Sequence, residues 1–265
     1  MKALIDGDII RYEVGFAAEA GWRHLTERDE LPPWEFVRNI LDERLAYILR
    51  EAKADEACIY ITEGPTFRED IAVSKPYKGT RQDKKPYHFR NLTVALRDVE
   101  GAQVVTKIEA DDQMALDALK AEGQAIICSR DKDLRQVPVP VFSWELGKQP
   151  SFGPEVVTEP GYLTYEPGRN KLLGTGFAFF SAQMLMGDVV DNIPGLPGMG
   201  AKGAHKLLEH LTSKEEYIAA VEDAYQAKCD DDWEDYMVEQ GRLLWITRRL
   251  HPDGSPVLWE RGMTE

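Results

Sequence analysis

Apolar positions along the chain follow two alternating rhythms. Short runs rich in aliphatic and β-branched residues, Ala3 to Ile5, Ala57 to Ile61, Gln103 to Ile108, Ala125 to Cys128 and Val139 to Trp144, predict strands, four of them apolar enough to be buried on both faces. Between the first two, Pro33 to Glu51 sets Val37, Leu41, Leu45 and Ile48 on one helical stripe. After the third, Asp111 to Ala121 does the same with Met114, Ala115, Ala118 and Leu119. This alternation predicts an α/β domain on a parallel sheet. From Trp144 to Leu173 glycines and prolines crowd together, predicting a long connection with a hairpin through Val156 and Val157. The domain boundary is placed there, giving an α/β core over 1–173 and a helical region over 174–265. Beyond it the periodicity is only helical: Gly176 to Met186, Ala201 to Leu211, Lys214 to Ala227 and Trp233 to Leu250.

Composition narrows the classes. A chain of 265 residues, 43% hydrophobic, fills a sizeable core, and a net charge of -14 argues against coating nucleic acid or anionic membrane by bulk electrostatics. No apolar run reaches membrane-span length, and the N-terminus meets Asp6 too early for a signal-peptide core, so a cytoplasmic protein with no membrane partner is expected. Cys58, Cys128 and Cys229 are too widely spaced for a disulfide framework or a CxxC metal site. The histidines lack ligand spacing, which argues against a zinc enzyme. The charge is uneven. Lys75 to Arg97 carries seven Lys and Arg against Asp83 alone, whereas Ser213 to Asp235 carries nine Asp and Glu against two Lys. The acidic stretch is read as a solvated helical face.

The residues after the strands carry the chemistry. In a parallel α/β sheet, ligands bind outside the carboxyl ends of the strands, and here those positions are acidic: Asp6 and Asp8; Glu63; Glu109, Asp111 and Asp112; Asp131 and Asp133. Asp188 and Asp191, three apart, are expected on one helical face. Each pair alone reads as a helix cap or a solvated loop. Ten carboxylates at one edge would repel one another and raise their pKa values unless divalent cations held them, and oxygen ligands without His or Cys suit Mg2+ or Mn2+. Two such ions together are the usual arrangement for cleaving phosphodiesters. The adjoining run Asp188 to Gly203 is no Walker loop, because Ala201 separates Gly200 from Lys202 and a helix precedes it. A tight hairpin between two helices is expected instead. Gly195, Gly198 and Gly200 would let the backbone approach phosphate, with the amides opening the next helix, Lys202 and Lys206 beside them.

Ile5-Asp6-Gly7-Asp8, Glu109-Ala110-Asp111-Asp112, Ser129-Arg130-Asp131-Lys132-Asp133, and Met186-Gly187-Asp188 through Asp191-Asn192-Ile193-Pro194-Gly195 resemble, in order, the acidic motifs and helix-hairpin-helix of the flap endonuclease and 5′ nuclease family. Within it the chain is most similar to the freestanding 5′ to 3′ exonucleases of bacteriophages. The resemblance implies a PIN-like twisted sheet with helices on both faces, a helical arch around 75–97, and a helix-hairpin-helix over 186–211. It implies two metal sites, Asp6, Glu63, Glu109 and Asp111 serving the first and Asp131, Asp133, Asp188 and Asp191 the second. Asp8 and Asp112 would be shared or would support the ligands; Glu63 stands where the family has Asp. Tyr77-Lys78-Gly79-Thr80-Arg81 resembles the arch motif, with Lys78 and Arg81 at the scissile phosphate and Tyr77 stacked on a terminal base. Lys84 and Lys85 extend this basic surface, and a monovalent cation at the hairpin is implied as well.

The reading is therefore a monomeric, metal-dependent 5′ nuclease acting on DNA ends, flaps or RNA:DNA hybrids in phage replication or recombination, in the host cytoplasm. Two other classes fit parts of the sequence. Asp6-Gly7-Asp8 with Asp188 and Asp191 is also similar to haloacid dehalogenase phosphatases, although a phosphatase has no use for the hairpin or the basic island. A DNA-binding accessory without catalysis would not need the full acidic set.

Overall fold

The computed structural model describes residues 1–81 and 84–264. In chain order the elements are β1 (Lys2–Asp6), α1 (Gly7–Thr26), α2 (Trp34–Glu51), β2 (Glu56–Thr66), α3 (Phe67–Ile71), α4 (Phe89–Val94), β3 (Gln103–Lys107), α5 (Ala110–Lys120), β4 (Ala125–Cys128), β5 (Pro140–Ser143) and β6 (Phe152–Val156). Then follow β7 (Leu163–Glu166), β8 (Lys171–Gly174), α6 (Gly176–Met186), α7 (Ala201–Leu208), α8 (Lys214–Lys228) and α9 (Trp233–Leu244). They form two compact units: unit 1 takes Met1–Gly64, Gln82–Arg130 and Val139–Glu155, and unit 2 takes Pro65–Arg81, Asp131–Pro138 and Val156–Glu265. Where the glycine and proline run predicts one cut near residue 173, the chain changes unit several times.

Unit 1 is built on a sheet of order β3-β2-β1-β4-β5-β6, in which β1 lies parallel to β2 and β4, and β4 parallel to β5. Register sets Ala3 beside Ala57 and Ile126, and Ile5 beside Ile59 and Cys128. Side chains alternate across a sheet, so Ala3, Ile5, Ile59, Ile61, Ile126 and Cys128 share one face. They pack with Ile10 and Val14 of α1 and with Val37, Leu41 and Ile48 of α2. The four buried positions of α2 are those its periodicity predicts. On the opposite face the Tyr60 hydroxyl donates to Asp117 of α5 at 2.7 Å. The turn from β1 into α1 requires Gly7: a Cβ there would stand 2.6 Å from Ile61 Cγ2 and 2.7 Å from the Tyr60 carbonyl.

Unit 2 collects the later helices around Phe177, Phe180, Leu185, Tyr225, Trp245 and Trp259. Helix α9 stops at Leu244 rather than Leu250, because the buried Arg68 guanidinium takes its final carbonyls: Nε donates to the Leu243 oxygen at 3.1 Å and Nη2 to the Trp245 oxygen at 2.8 Å. The hairpin expected at Val156 and Val157 forms later, between β7 and β8. Among the described residues no helix is long and apolar enough to cross a membrane.

Candidate active site

The carboxylates expected at one edge sort into two groups by unit: Asp6, Asp8, Glu63, Glu109, Asp111 and Asp112 in unit 1, and Asp131, Asp133, Asp188 and Asp191 in unit 2. In unit 1, Asp6 ends β1 and caps α1, accepting the Ile9 amide at 3.0 Å and the Ser129 hydroxyl at 2.7 Å, with 2% of its surface exposed. Asp8, one turn into α1, accepts the Thr62 amide at 3.1 and 3.2 Å and Arg11 Nη2 at 2.7 Å. Burial pushes the Asp8 carboxyl up, Arg11 and Thr62 oppose that, and the charge of Glu109 adds to the rise. Thr62 also accepts the Ala110 amide on its hydroxyl at 2.9 Å, so one residue of β2 ties the start of α1 to the start of α5. Glu109 and Asp112 close a capping box, Asp112 accepting the Glu109 amide at 3.0 Å while fully buried. Asp111 is half-buried. Glu63 is exposed, 3.8 Å from Arg97.

In unit 2 the cluster is tighter. Asp131 accepts the Asp133 amide at 2.9 Å, and Gln183 of α6 donates to Asp133 at 2.6 Å. Burial pushes both Asp131 and Asp133 up; the charges of Asp191 and Asp188 add to this at Asp131, and that of Asp131 at Asp133. Lys132, between them in sequence, turns its ammonium to Asp188 at 2.7 Å and reaches Asp133 at 4.0 Å. Burial acts to raise Asp188 as well, but Lys132 and the amides of Val190 and Asp191 outweigh it and hold that carboxyl below its usual range.

Residues 188–191 are not helical, contrary to the spacing-based expectation. Asp188 and Ile193 exchange backbone hydrogen bonds at 2.8 Å each way, and between them the chain makes a turn in which Asp188 Oδ1 accepts the Val190 amide at 2.7 Å. That local bond offers the backbone an alternative to a helix. Asp191 faces the expected arch segment: Arg81 Nη2 donates to its Oδ1 at 2.5 Å and the Tyr77 hydroxyl to its Oδ2 at 3.0 Å. Tyr77 is 9% exposed and joins the unit 2 core, so it does not present a ring for stacking. Lys78, in the left-handed region at φ 55, lays its ammonium 4.8 Å from the Tyr77 ring centre. Gln82 and Asp83 lie outside the described residues, and no described residue between α3 and α4 is helical. Lys84 and Lys85, in unit 1, are exposed.

Between α6 and α7 the glycines divide into two kinds. Gly187 (φ 69) and Gly195 (φ 64) lie back to back, a Cβ on Gly195 standing 2.2 Å from the Gly187 nitrogen. The Gly195 amide donates to buried Gln240 at 3.1 Å and its carbonyl accepts the Tyr236 hydroxyl at 2.8 Å, so Gly195 serves the core, not a ligand. Gly198 and Gly200 are exposed, with open space where a Cβ would be, and Lys202 and Lys206 are exposed on α7. The sequence alone marks no role for Thr62, Ser129, Lys132 or Gln183. Of these only Lys132 had a visible signal, as the lone cation between two of the acids.

No group of three or more His, Cys, Asp and Glu side chains among the described residues is disposed to hold a metal ion as it stands. The donor chemistry nevertheless suits a hard divalent cation: oxygen ligands only, several of them desolvated and mutually repelling.

No protein-family model matches the chain. It is 36% identical over 216 residues to a 5′-3′ exonuclease of Mycobacterium tuberculosis, a match covering 72% of this chain and 65% of that protein. It is 31% identical over 184 residues to DNA polymerase I of Bacillus caldotenax, covering 66% of this chain and 20% of that protein. The chain thus spans about a fifth of the polymerase relatives. In fold it is similar to the T5 D15 protein co-crystallized with metal ions (TM-score 0.53, 16% identity, 92% of this chain and 85% of that one). A second similar structure is T5 5′-exonuclease with divalent zinc bound (TM-score 0.51, 16% identity, 92% and 100%).

Proposed function

Because the chain is a homologue of proteins named 5′-3′ exonuclease and DNA polymerase I and shares the fold of T5 5′-exonuclease, we propose that it is a divalent-metal-dependent 5′ nuclease hydrolysing DNA phosphodiesters, and RNA of RNA:DNA hybrids. The observation that carries the reading is the ordered set of acidic motifs, each placed at the start of a helix or in a tight turn, in a chain whose relatives bear those names. Asp6, Glu63, Glu109 and Asp111 would hold one cation and Asp131, Asp133, Asp188 and Asp191 the other, each Mg2+ or Mn2+, with Asp8 and Asp112 shared or supporting the ligands. When bound, the cations supply Lewis-acid stabilisation of charge developing on the phosphoryl oxygens.

The chain's own residues do the rest. Ser129 and Thr62 hold Asp6 and Asp8 in place, and Gln183 does the same for Asp133. Lys78 and Arg81 would oppose the charge that grows on the scissile phosphate. Gly198, Gly200, Lys202 and Lys206 would hold the backbone of the duplex without reading bases, and a monovalent cation would sit at that connection. Digestion of 5′-labelled duplex, flap and RNA:DNA hybrid with Mg2+, reading product lengths, tests the reading. Turnover of p-nitrophenyl phosphate without strand cleavage would replace it with a phosphatase.

Two outcomes follow for substrate binding. A net charge of -14 is compatible with DNA binding when phosphates are neutralised locally. Lys84→Ala with Lys85→Ala is therefore expected to weaken binding and flatten the slope of log affinity against log salt by roughly 1.8 on duplex DNA, with fluorescence anisotropy across a salt series as the check. Gly198→Val is expected to weaken binding of long duplex far more than hydrolysis of a very short substrate. Equal losses on both would make the connection purely structural.

A further inference from the structure

Building on the nuclease reading, the contacts of Asp191 point to a link between cation loading and the arch segment. Both carboxylate oxygens are in use, Oδ1 by Arg81 at 2.5 Å and Oδ2 by the Tyr77 hydroxyl at 3.0 Å. Its carbonyl accepts the Lys78 amide at 2.9 Å, and Asn192 Nδ2 donates to the Pro76 carbonyl at 2.9 Å. Four contacts thus pin the Pro76 to Arg81 turn onto the turn that carries Asp191, all within unit 2. The same carboxylate is one of those assigned to a divalent cation. We propose that the Pro76 to Arg81 turn and the cation compete for Asp191, so that cation loading releases the Tyr77 hydroxyl and Arg81 from it and makes Arg81 available to substrate.

The competition follows from charge and space. A carboxylate has two small oxygens, and a divalent ion bound to them at about 2.0 to 2.6 Å repels a guanidinium on the same group. The Arg81 side chain is 47% exposed, so water and salt weaken its pair with Asp191, and a doubly charged ion displaces it. The turn itself does not depend on Arg81, because Asp188 is held separately by Lys132 and by the amides of Val190 and Asp191. While this pair holds, Arg81, assigned to the scissile phosphate, is stowed on the acid it would otherwise face. Coupling of this kind is reciprocal: whatever weakens the turn's hold on Asp191 must raise affinity for the cation.

The test pairs hydrogen exchange at the Lys78 amide, with and without Mg2+, with calorimetric Mg2+ affinity. In the wild-type protein Mg2+ should speed exchange at Lys78 at least about tenfold. Tyr77→Phe, which deletes one hydroxyl and keeps the buried ring, should bind Mg2+ roughly three- to tenfold more tightly, the worth of one hydrogen bond. Asn192→Gly keeps the left-handed backbone at φ 61 and removes only the bond to Pro76, so it tests the same coupling without touching the carboxylate. Mg2+ binding that leaves Lys78 exchange and both variants' affinities unchanged would overturn the proposal alone. Failure of the wild-type protein to bind Mg2+ would overturn the nuclease reading with it.

Discussion

Asp131→Asn is expected to lower strand cleavage by a factor on the order of a thousand or more while DNA affinity measured in Ca2+ stays within several-fold of wild type. The substitution keeps an oxygen to accept the Asp133 amide, now at 2.9 Å, so the local backbone has no reason to move. What it removes is charge at a half-buried position where Asp191 and Asp188 already repel it. That repulsion gives a second expected result. Burial, with those neighbours adding to it, pushes the Asp131 carboxyl up, which means the fold disfavours its charged form, so the variant should melt higher than wild type in EDTA. Mg2+ should narrow or reverse the difference, because an ion that binds only the folded protein stabilises the full ligand set more than the depleted one. Asp111→Asn probes the unit 1 group in the same way. Turnover at the wild-type rate in either variant would remove the two-cation assignment.

Elements whose apolar stripe is wide were legible in the sequence. The four buried positions of α2 are the four that its periodicity marks, and β4 and α6 begin and end where their apolar runs do. Helix α1 is not legible in the sequence, although Ile10, Val14 and Ala18 repeat every fourth residue, because its stripe is narrow and Gly15 and Gly21 interrupt it. Gly15 has a packing reason that a single sequence cannot carry: a Cβ there would stand 2.4 Å from Pro86, a residue distant in the chain. The end of α9 was hidden for a similar reason, since Arg68 takes its carbonyls from far upstream.

The candidate site shows the same division. Which residues are acidic is written in the sequence, but what neutralises each of them depends on tertiary contacts. Asp6 and Asp112 spend part of their capacity capping helices, as isolated acidic residues at helix starts often do. Asp188 and Asp191 meet cations contributed by residues 56 and 110 positions away. Asp188 and Asp191 also look like one face of a helix by spacing alone, and only the Asp188 side chain bonding to the Val190 amide turns that stretch into a turn.

Gly195→Ala is expected to destabilise unit 2 by about 3 kcal/mol or more. Three costs combine. At φ 64 a side chain meets the left-handed penalty of about 1 to 2 kcal/mol. The new Cβ would stand 2.2 Å from the Gly187 nitrogen and 2.6 Å from the Met186 carbonyl carbon, backbone atoms that cannot rotate away, and relieving such overpacking costs about 1 to 3 kcal/mol. Any shift that opens this contact also pulls the Gly195 amide from buried Gln240, leaving polar atoms without partners for about 1 to 3 kcal/mol more. Gly198→Ala is the control, since φ is again positive at 73 but nothing lies within 4 Å of the added atom. It should cost only the conformational penalty, about 1 to 2 kcal/mol. Urea melts of the two variants separate close approach from backbone conformation, because denaturant midpoints report stability when the slopes agree. Equal midpoints would mean that Gly187 and Gly195 can part at no cost, and that the connection between α6 and α7 is held by its flanking helices rather than by the contact of these two glycines.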